Sequence, residues 1–269
     1  MNSIRENRPI VAPHLPAPLA STIELIHNYH LVNMLRMVMH RLIIGDIHGC
    51  YDELQALLEK AGLGADDEII AIGDIVDRGP ASDKVLAFFQ TTPHAYSIMG
   101  NHERKHIRSF RGQLEPAASQ TITRHQIGEA AYPAAIDFMS QFRNYLELPE
   151  ALLVHAFFEP GIRITEQRDT VIVGTLTGES YLKDNGLWPW YERYDGNKPL
   201  IVGHRDYTDT MQPFVYQNRV YGLDSRCCYG GSLTGLLLPE FRLISVPSRG
   251  NHWAVLQHQY ADMIRDKLL

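Results

Sequence analysis

The sequence predicts an α/β fold in which parallel strands are joined by helical crossovers, and three observations predict it. Apolar runs of strand length occur at Leu42-Ile43-Ile44, Ile69-Ile70-Ala71-Ile72 and Tyr96-Ser97-Ile98-Met99. Each is followed at once by a glycine-bearing turn: Gly45-Asp46-Ile47-His48-Gly49, Gly73-Asp74-Ile75-Val76-Asp77-Arg78-Gly79 and Gly100-Asn101-His102-Glu103. Each turn then opens a segment with helical periodicity. A β-α-β-α-β-α rhythm of this kind implies a parallel sheet, with active groups at the carboxyl ends of its strands.

Taken in order, strand 41–45 leads to a helix near 51–62, where Tyr51, Leu54, Leu58 and Ala61 share one face and Gly62 and Gly64 end it. Strand 68–73 leads to a helix near 81–91, stopped before Pro93. Strand 95–99 leads to a helix over 101–110. Segments 120–131 and 134–147 read as a helical insertion covering the site. From 151 onward short β runs return at 151–155, 170–174, 199–203, 219–223, 233–238 and 241–246. Residues 1–38 stand apart, because Pro9, Pro13, Pro16 and Pro18 disfavour both helix and strand. The expected organisation is an N-terminal extension over 1–38, partly disordered, followed by one catalytic domain over 39–269.

A chain of 269 residues can bury one substantial core. Its net charge of −6 and pI near 6.1 lack the surplus of Lys and Arg on which non-specific nucleic-acid binding depends. No nucleic-acid duplex is therefore expected as a partner. A phosphorylated substrate remains open, because bound metal ions invert the local sign of charge. The three cysteines, Cys50, Cys227 and Cys228, form no disulfide framework and point to a reducing, cytoplasmic setting. No apolar run reaches the roughly 18 residues of a membrane span, and no membrane partner is expected.

The three turns carry the chemistry. Asp46 and His48 are two apart on one turn and can point into one crevice. Asp74 lies one strand-helix-strand unit later, at the neighbouring strand end, where a carboxylate can bridge two ions. Asn101 adds a neutral oxygen. His155 ends the strand Leu152-Leu153-Val154, and His204 follows Ile201-Val202-Gly203. Hard divalent ions such as Mn²⁺ and Fe²⁺ accept this mixture of carboxylate, imidazole and amide oxygen. Two such ions can activate hydroxide and clamp a phosphate for in-line attack. His102 is placed to protonate the leaving alcohol. Asp77 is placed to orient His102 and raise its pKa, and Arg78 offers a planar fork for phosphate oxygens. No side chain is marked as a nucleophile, so no phosphoenzyme is expected. Taken singly, each motif reads as an ordinary turn, and Asp74 or Asp77 as a helix cap. Their joint, ordered occurrence after strands is what points to a site. His94, His106, His125, His252 and His258 lack that support and are expected to be surface or core residues, and Cys227 and Cys228 packing residues.

These segments resemble the signature of the calcineurin-like metallophosphoesterases, in the phosphoprotein phosphatase branch: GDxHG, GDxxDRG and GNHE, then two later histidines. The resemblance covers roughly residues 40–245. It implies a sandwich of two mixed β-sheets flanked by helices. It implies two metal ions, Mn²⁺ or an Fe/Mn pair, one held by Asp46, His48 and Asp74 and the other by Asp74, Asn101, His155 and His204. It also assigns His102 and Asp77 as the acid pair and Arg78 as a phosphate-binding arginine.

Gly45 to Leu58 (GDIHGCYDELQALL) resembles the opening of dinucleoside-tetraphosphate hydrolases and of phage-type Ser/Thr protein phosphatases. The stretch from Tyr221 to Thr234 resembles the closing segment of the former. There are departures. Phe157 stands where the family has Gly, Arg205 where it has Thr, and Arg226 where Gly is common. Phe157 is expected to reshape the pocket wall, and Arg205 is either a further phosphate contact or a solvent-facing side chain. The function expected is metal-dependent phosphoester or phosphoanhydride hydrolysis, on a dinucleoside polyphosphate or a Ser/Thr phosphoprotein, with a non-catalytic phosphate-binding regulatory module as the reading from another class. For the nucleotide substrate, Trp188, Trp190, Tyr191 and Arg193 are candidates for an aromatic and basic lining.

Overall fold

Alternation within the first strand sets the layering. In the computed structural model, which describes residues 39–265, β1 (Arg41–Ile44) turns Leu42 and Ile44 toward one part of the core and Ile43 toward another. That is the two-residue period of a strand. The chain continues through α1 (Tyr51–Ala61), β2 (Glu68–Ala71), α2 (Ser82–Thr91), β3 (Ala95–Ser97), α3 (Asn101–Phe110), α4 (Ala118–Ile127) and α5 (Tyr132–Met139). It then forms β4 (Tyr145–Glu147), β5 (Leu152–Val154), α6 (Asp169–Ile172), α7 (Leu176–Asp184), β6 (Leu200–Val202), β7 (Phe214–Tyr216) and β8 (Val220–Gly222). It ends with β9 (Ser232–Leu238), β10 (Arg242–Pro247), α8 (His252–Gln259) and α9 (Ala261–Arg265).

The strands form two five-stranded mixed sheets, ordered β10-β9-β1-β2-β3 and β4-β5-β6-β8-β7. Strands β1, β2 and β3 are parallel, as are β5, β6 and β8; the other strands pair antiparallel. Ile43, Ile70, Ile72 and Ile98 from the first half of the chain share one buried cluster with Leu153, Ile201, Tyr221, Leu223 and Leu236. Leu42, Ile44, Leu152, Val154, Leu200 and Val202 fall in the other cluster, with Leu54 and Leu57 of α1 and Val85 and Phe89 of α2. The sheets thus share one face and give the other to helices. Burying each of these side chains stabilises the fold by about 1.5–3 kcal/mol.

Two expected elements differ. Residues 170–174 were expected as a strand on their β-branched run, but Asp169–Ile172 is one turn of helix. The Val173 N–H bonds the Asp169 carbonyl, and the Ile172 carbonyl accepts the Ala156 N–H at 2.9 Å, so tertiary packing overrides propensity. The helix expected over 134–147 stops at Met139, and Tyr145–Glu147 pairs with β5 instead. The Met99 N–H bonds the Arg143 carbonyl at 2.8 Å and draws the chain back to the sheet. The expectations for residues 1–38 lie outside the described residues.

Candidate active site and metal centre

Strand ends from both sheets converge on one place. The turn after β1 carries Asp46 and His48, and the turn after β2 carries Asp74, Asp77 and Arg78. Asn101 and His102 begin α3, His155 follows β5, and His204 follows β6. The local backbone is unusual. His48, Asp74, Asp77, Arg78 and His204 have φ of +48°, +51°, +73°, +65° and +66°. For residues with a Cβ this conformation costs roughly 1–2 kcal/mol each, and such strain gathers at functional sites.

Glu103 helps hold the strained turn. Its carboxylate accepts the N–H groups of Asp74 and Ile75 at 2.9 Å and of Gly100 at 3.0 Å. Gly100 must lack a side chain, because a Cβ there would lie 2.2 Å from Asp74 Oδ1. Glu103 had no role assigned from the sequence. Its signal was the spacing of three residues from Gly100 to an acid in the first helical turn.

Asp74 is the geometric centre. Its Oδ2 lies 3.4 Å from His155 Nε2, 3.7 Å from His48 Nε2 and 3.9 Å from His102 Nε2. The His48 and His155 Nδ1 atoms lie 2.9 and 2.7 Å from the carbonyl oxygens of Val76 and Ile72. A carbonyl only accepts, so each Nδ1 carries a proton and each Nε2 faces Asp74. Asn101 Oδ1 lies 3.0 Å from His155 Nε2 and 2.9 Å from His204 Nδ1. Asp46 Oδ1 accepts the His204 N–H at 2.9 Å, and its Oδ2 is 3.9 Å from His48 Nε2. The groups His48-Asp74-His102 and Asp74-His155-His204 each bring three ligand atoms within 4.8 Å of one another. These donors fit a metal site. All six residues expected as ligands are here.

His102 and Asp77 are brought into contact. Asp77 Oδ2 lies 2.5 Å from His102 Nδ1, and Asp77 is fully buried. His106, expected to be an ordinary residue, places Nε2 2.8 Å from Asp77 Oδ1 and Nδ1 2.8 Å from the Tyr132 hydroxyl. Its signal was helical spacing, four residues beyond His102 on the same face of α3. His102 Nε2 is buried and has no hydrogen-bond partner among the described residues. Arg78 Nη1 lies 2.9 Å from His48 Nε2.

Burial and the charges of neighbouring groups set the protonation preferences. Burial pushes the Asp74 carboxyl up, but His155, His102 and His48 outweigh it and hold it well below the usual range. Asp77 behaves in the same way, with His106 and His102 overcoming burial. Burial, Arg78 and His102 pull His48 far down. Burial and His155 take His204 to about 3. Burial also lowers His155, yet Asp74 and Asp46 overcome it and bring it to about 10. Asp77 raises the His102 pKa as expected, but burial dominates and the net direction is downward. Burial and the Asp74 charge push Glu103 up to about 7.

Phe157 is fully buried, with its ring edge-on to His204 at 5.1 Å and to Trp188 at 5.8 Å. Arg205 donates through Nη1 to Glu179 at 2.8 Å and lies 5.3 Å from the Trp188 ring centroid. It also lines a cavity of about 400 Å³ with His204, Asp206, Asp209, Met211 and Arg226. Of the aromatic and basic candidates, Trp190 is buried in the core and Arg193 donates to the Gly186 carbonyl. Trp188 and Tyr191 are half-buried. Cys50, Cys227 and Cys228 are buried and free, and Cys227 and Cys228 sit in the core as expected.

Residues 39–222 match the calcineurin-like phosphoesterase family, and the chain belongs to it. It is an enzyme of that family, a metallophosphoesterase with a buried His/Asp cluster that is consistent with a binuclear metal site. Among its relatives is the asymmetrical bis(5'-nucleosyl)-tetraphosphatase PrpE of Halalkalibacterium halodurans, 30% identical over 77% of this chain and 93% of its own length. The Bacillus subtilis protein of the same name is 29% identical over 77% and 93%. A crystal structure provisionally named as a diadenosine tetraphosphatase superposes with a TM-score of 0.66, at 26% identity, over 79% of this chain and 95% of that one. A Saccharomyces cerevisiae protein serine/threonine phosphatase shares the fold, with a TM-score of 0.53 and 13% identity over 78% of this chain and 79% of that one. No helix among the described residues is long and apolar enough to cross a membrane.

Proposed function

We propose that the chain hydrolyses a dinucleoside polyphosphate with two divalent ions, Mn²⁺ or an Fe/Mn pair. The observation that carries this is Asp74: its Oδ2 lies 3.7 Å from His48 Nε2 and 3.4 Å from His155 Nε2, and Asp74 belongs to both the His48-Asp74-His102 and the Asp74-His155-His204 group. Asp46, His48 and Asp74 would hold one ion, and Asp74, Asn101, His155 and His204 the other. Such a pair supplies Lewis acidity to the phosphate and activates water.

The protein's own groups do the rest. His102 presents Nε2 to the leaving oxygen and gives it a proton, while Asp77 fixes the ring through Nδ1. Arg78 binds phosphate oxygens with its planar fork. Arg205 stands in the cavity beside His204, and among the described residues its guanidinium hydrogen-bonds through Nη1 alone while lying over the Trp188 ring, which supports a role in substrate binding. The names of the PrpE relatives support the dinucleotide. The catalytic unit is taken as residues 39–269, with residues 1–38 an extension; a chain begun at Met39 should keep full activity. The free, buried cysteines support a cytoplasmic setting.

A Ser/Thr phosphoprotein is the second reading, favoured by the complete Asp77-Arg78-Gly79 pattern. Mn²⁺-loaded protein is to be given diadenosine tetraphosphate and a phosphoserine peptide in parallel. Faster cleavage of the dinucleotide is expected. Faster release of phosphate from the peptide would replace the first reading with the second.

A further inference from the structure

Arg226 occupies a backbone position that does not need its side chain. Its φ is +62°, in the left-handed region that a Cβ disfavours and glycine enters freely. The turn is closed by main-chain groups: the Arg226 N–H donates to Asp224 Oδ1 at 2.9 Å, and its carbonyl accepts the N–H groups of Tyr229 and Gly231 at 3.0 and 3.1 Å. Glycine would make all of these bonds without strain.

The side chain instead places charge beside the candidate catalytic groups. Its guanidinium carbon lies 4.5 Å from the centroid of the Tyr229 ring, and the Arg78 guanidinium lies 5.7 Å from the same centroid. Among the described residues neither guanidinium forms an ion pair with a carboxylate. Two cations sharing one ring repel each other, and an anion carrying several charges beside both relieves that repulsion. Arg226 also lines the cavity of about 400 Å³ that includes His204. The buried Asp224 carboxyl, which accepts the Arg226 N–H, also feels both guanidinium charges, and two further acids share the cavity wall. Asp206 is already occupied by Thr208 N–H, Thr208 Oγ1 and Met211 N–H, at 2.9, 2.7 and 2.7 Å. Asp209 is exposed, where solvent and salt screen its charge.

We propose that Arg226 binds a phosphate group next to the one being cleaved, and so selects a polyphosphate chain over a lone phosphate. The inference rests on the polyphosphate reading above and names the residue that would enforce it. Arg226→Gly removes the guanidinium and relieves the strained φ, so its melting temperature should be no lower than that of the unaltered protein.

The test is the ratio of kcat/KM for diadenosine tetraphosphate to that for p-nitrophenyl phosphate, which carries one phosphate. One lost charge-assisted contact should lower this ratio about tenfold to a hundredfold in Arg226→Gly, chiefly through KM for the dinucleotide. Arg226→Lys should recover part of it. An unchanged ratio, or equal loss on both substrates, overturns the proposal. If the unaltered enzyme cleaves p-nitrophenyl phosphate but not the dinucleotide, the substrate reading fails, and Arg226 is judged by competitive inhibition. Arg226→Gly should then weaken inorganic tripolyphosphate about tenfold relative to orthophosphate; equal weakening overturns it.

Discussion

His102 Nδ1 lies 2.5 Å from Asp77 Oδ2, and the other oxygen of the same carboxylate lies 2.8 Å from His106 Nε2. One buried acid therefore orients two imidazoles, and only His102 also faces Asp74. Asp77→Asn would present an amide to two ring N–H groups and release the His102 ring. We expect kcat to fall about 10²–10⁴-fold while metal content is unchanged. His102→Ala should show the same split, with a smaller loss on p-nitrophenyl phosphate, whose leaving group needs little protonation. Loss of metal from the His102 variant would contradict an acid role.

Glu103 holds the Asp74 turn through the main chain and contributes no ligand atom to either candidate metal group. Glu103→Ala leaves the N–H groups of Asp74, Ile75 and Gly100 without their acceptor. At about 1 kcal/mol or more per group the loss is about 3 kcal/mol. Thermal unfolding should shift down by roughly 6–12 °C, and activity should fall with it. Glu103→Gln keeps an acceptor oxygen and should lose less on both measures.

The C-terminal segment is fastened to α1 by Glu53, whose Oε1 accepts the Arg249 N–H at 2.9 Å and lies 2.8 Å from His252 Nε2. Burial pushes this carboxyl up, but the bonds to His252 and Arg249 outweigh it and take its pKa down to about 2 from 4.5. A carboxylate depressed in the folded state stabilises fully above its unfolded pKa, and that stability is lost as pH falls through the folded value. With an allowance for solvent screening it is on the order of 2 kcal/mol. The difference in melting temperature between the unaltered protein and Glu53→Gln should shrink as pH falls from 4.5 toward 2. A difference that does not change with pH would remove Glu53 from the acid response.

The first sheet was legible because each of its parallel strands pairs a short apolar run with a turn whose residues have a chemical reason to be there. Ile43, Ile70 and Ile98 lie between the sheets. The second sheet was harder to read. Its parallel strands are only three residues long, and Val171-Ile172-Val173 has strand composition but forms a helical turn under tertiary packing. β7 was missed because Phe214–Tyr216 is a partly exposed edge with no period long enough to read. At the site, side chains carried by strand-end turns were found from sequence. His106 and Glu103 were missed because they act through other residues, Asp77 and the Asp74 backbone, and only the fold shows those partners.

The central claim is that Asp74 joins two metal positions, and metal titration tests it most directly. Metal-free protein is titrated with Mn²⁺ while bound metal and p-nitrophenyl phosphate hydrolysis are followed together. Activity should rise until two equivalents are bound, and Asp74→Asn should bind neither ion tightly and show no turnover. Full activity at one equivalent, or undiminished activity in Asp74→Asn or in excess chelator, would contradict it.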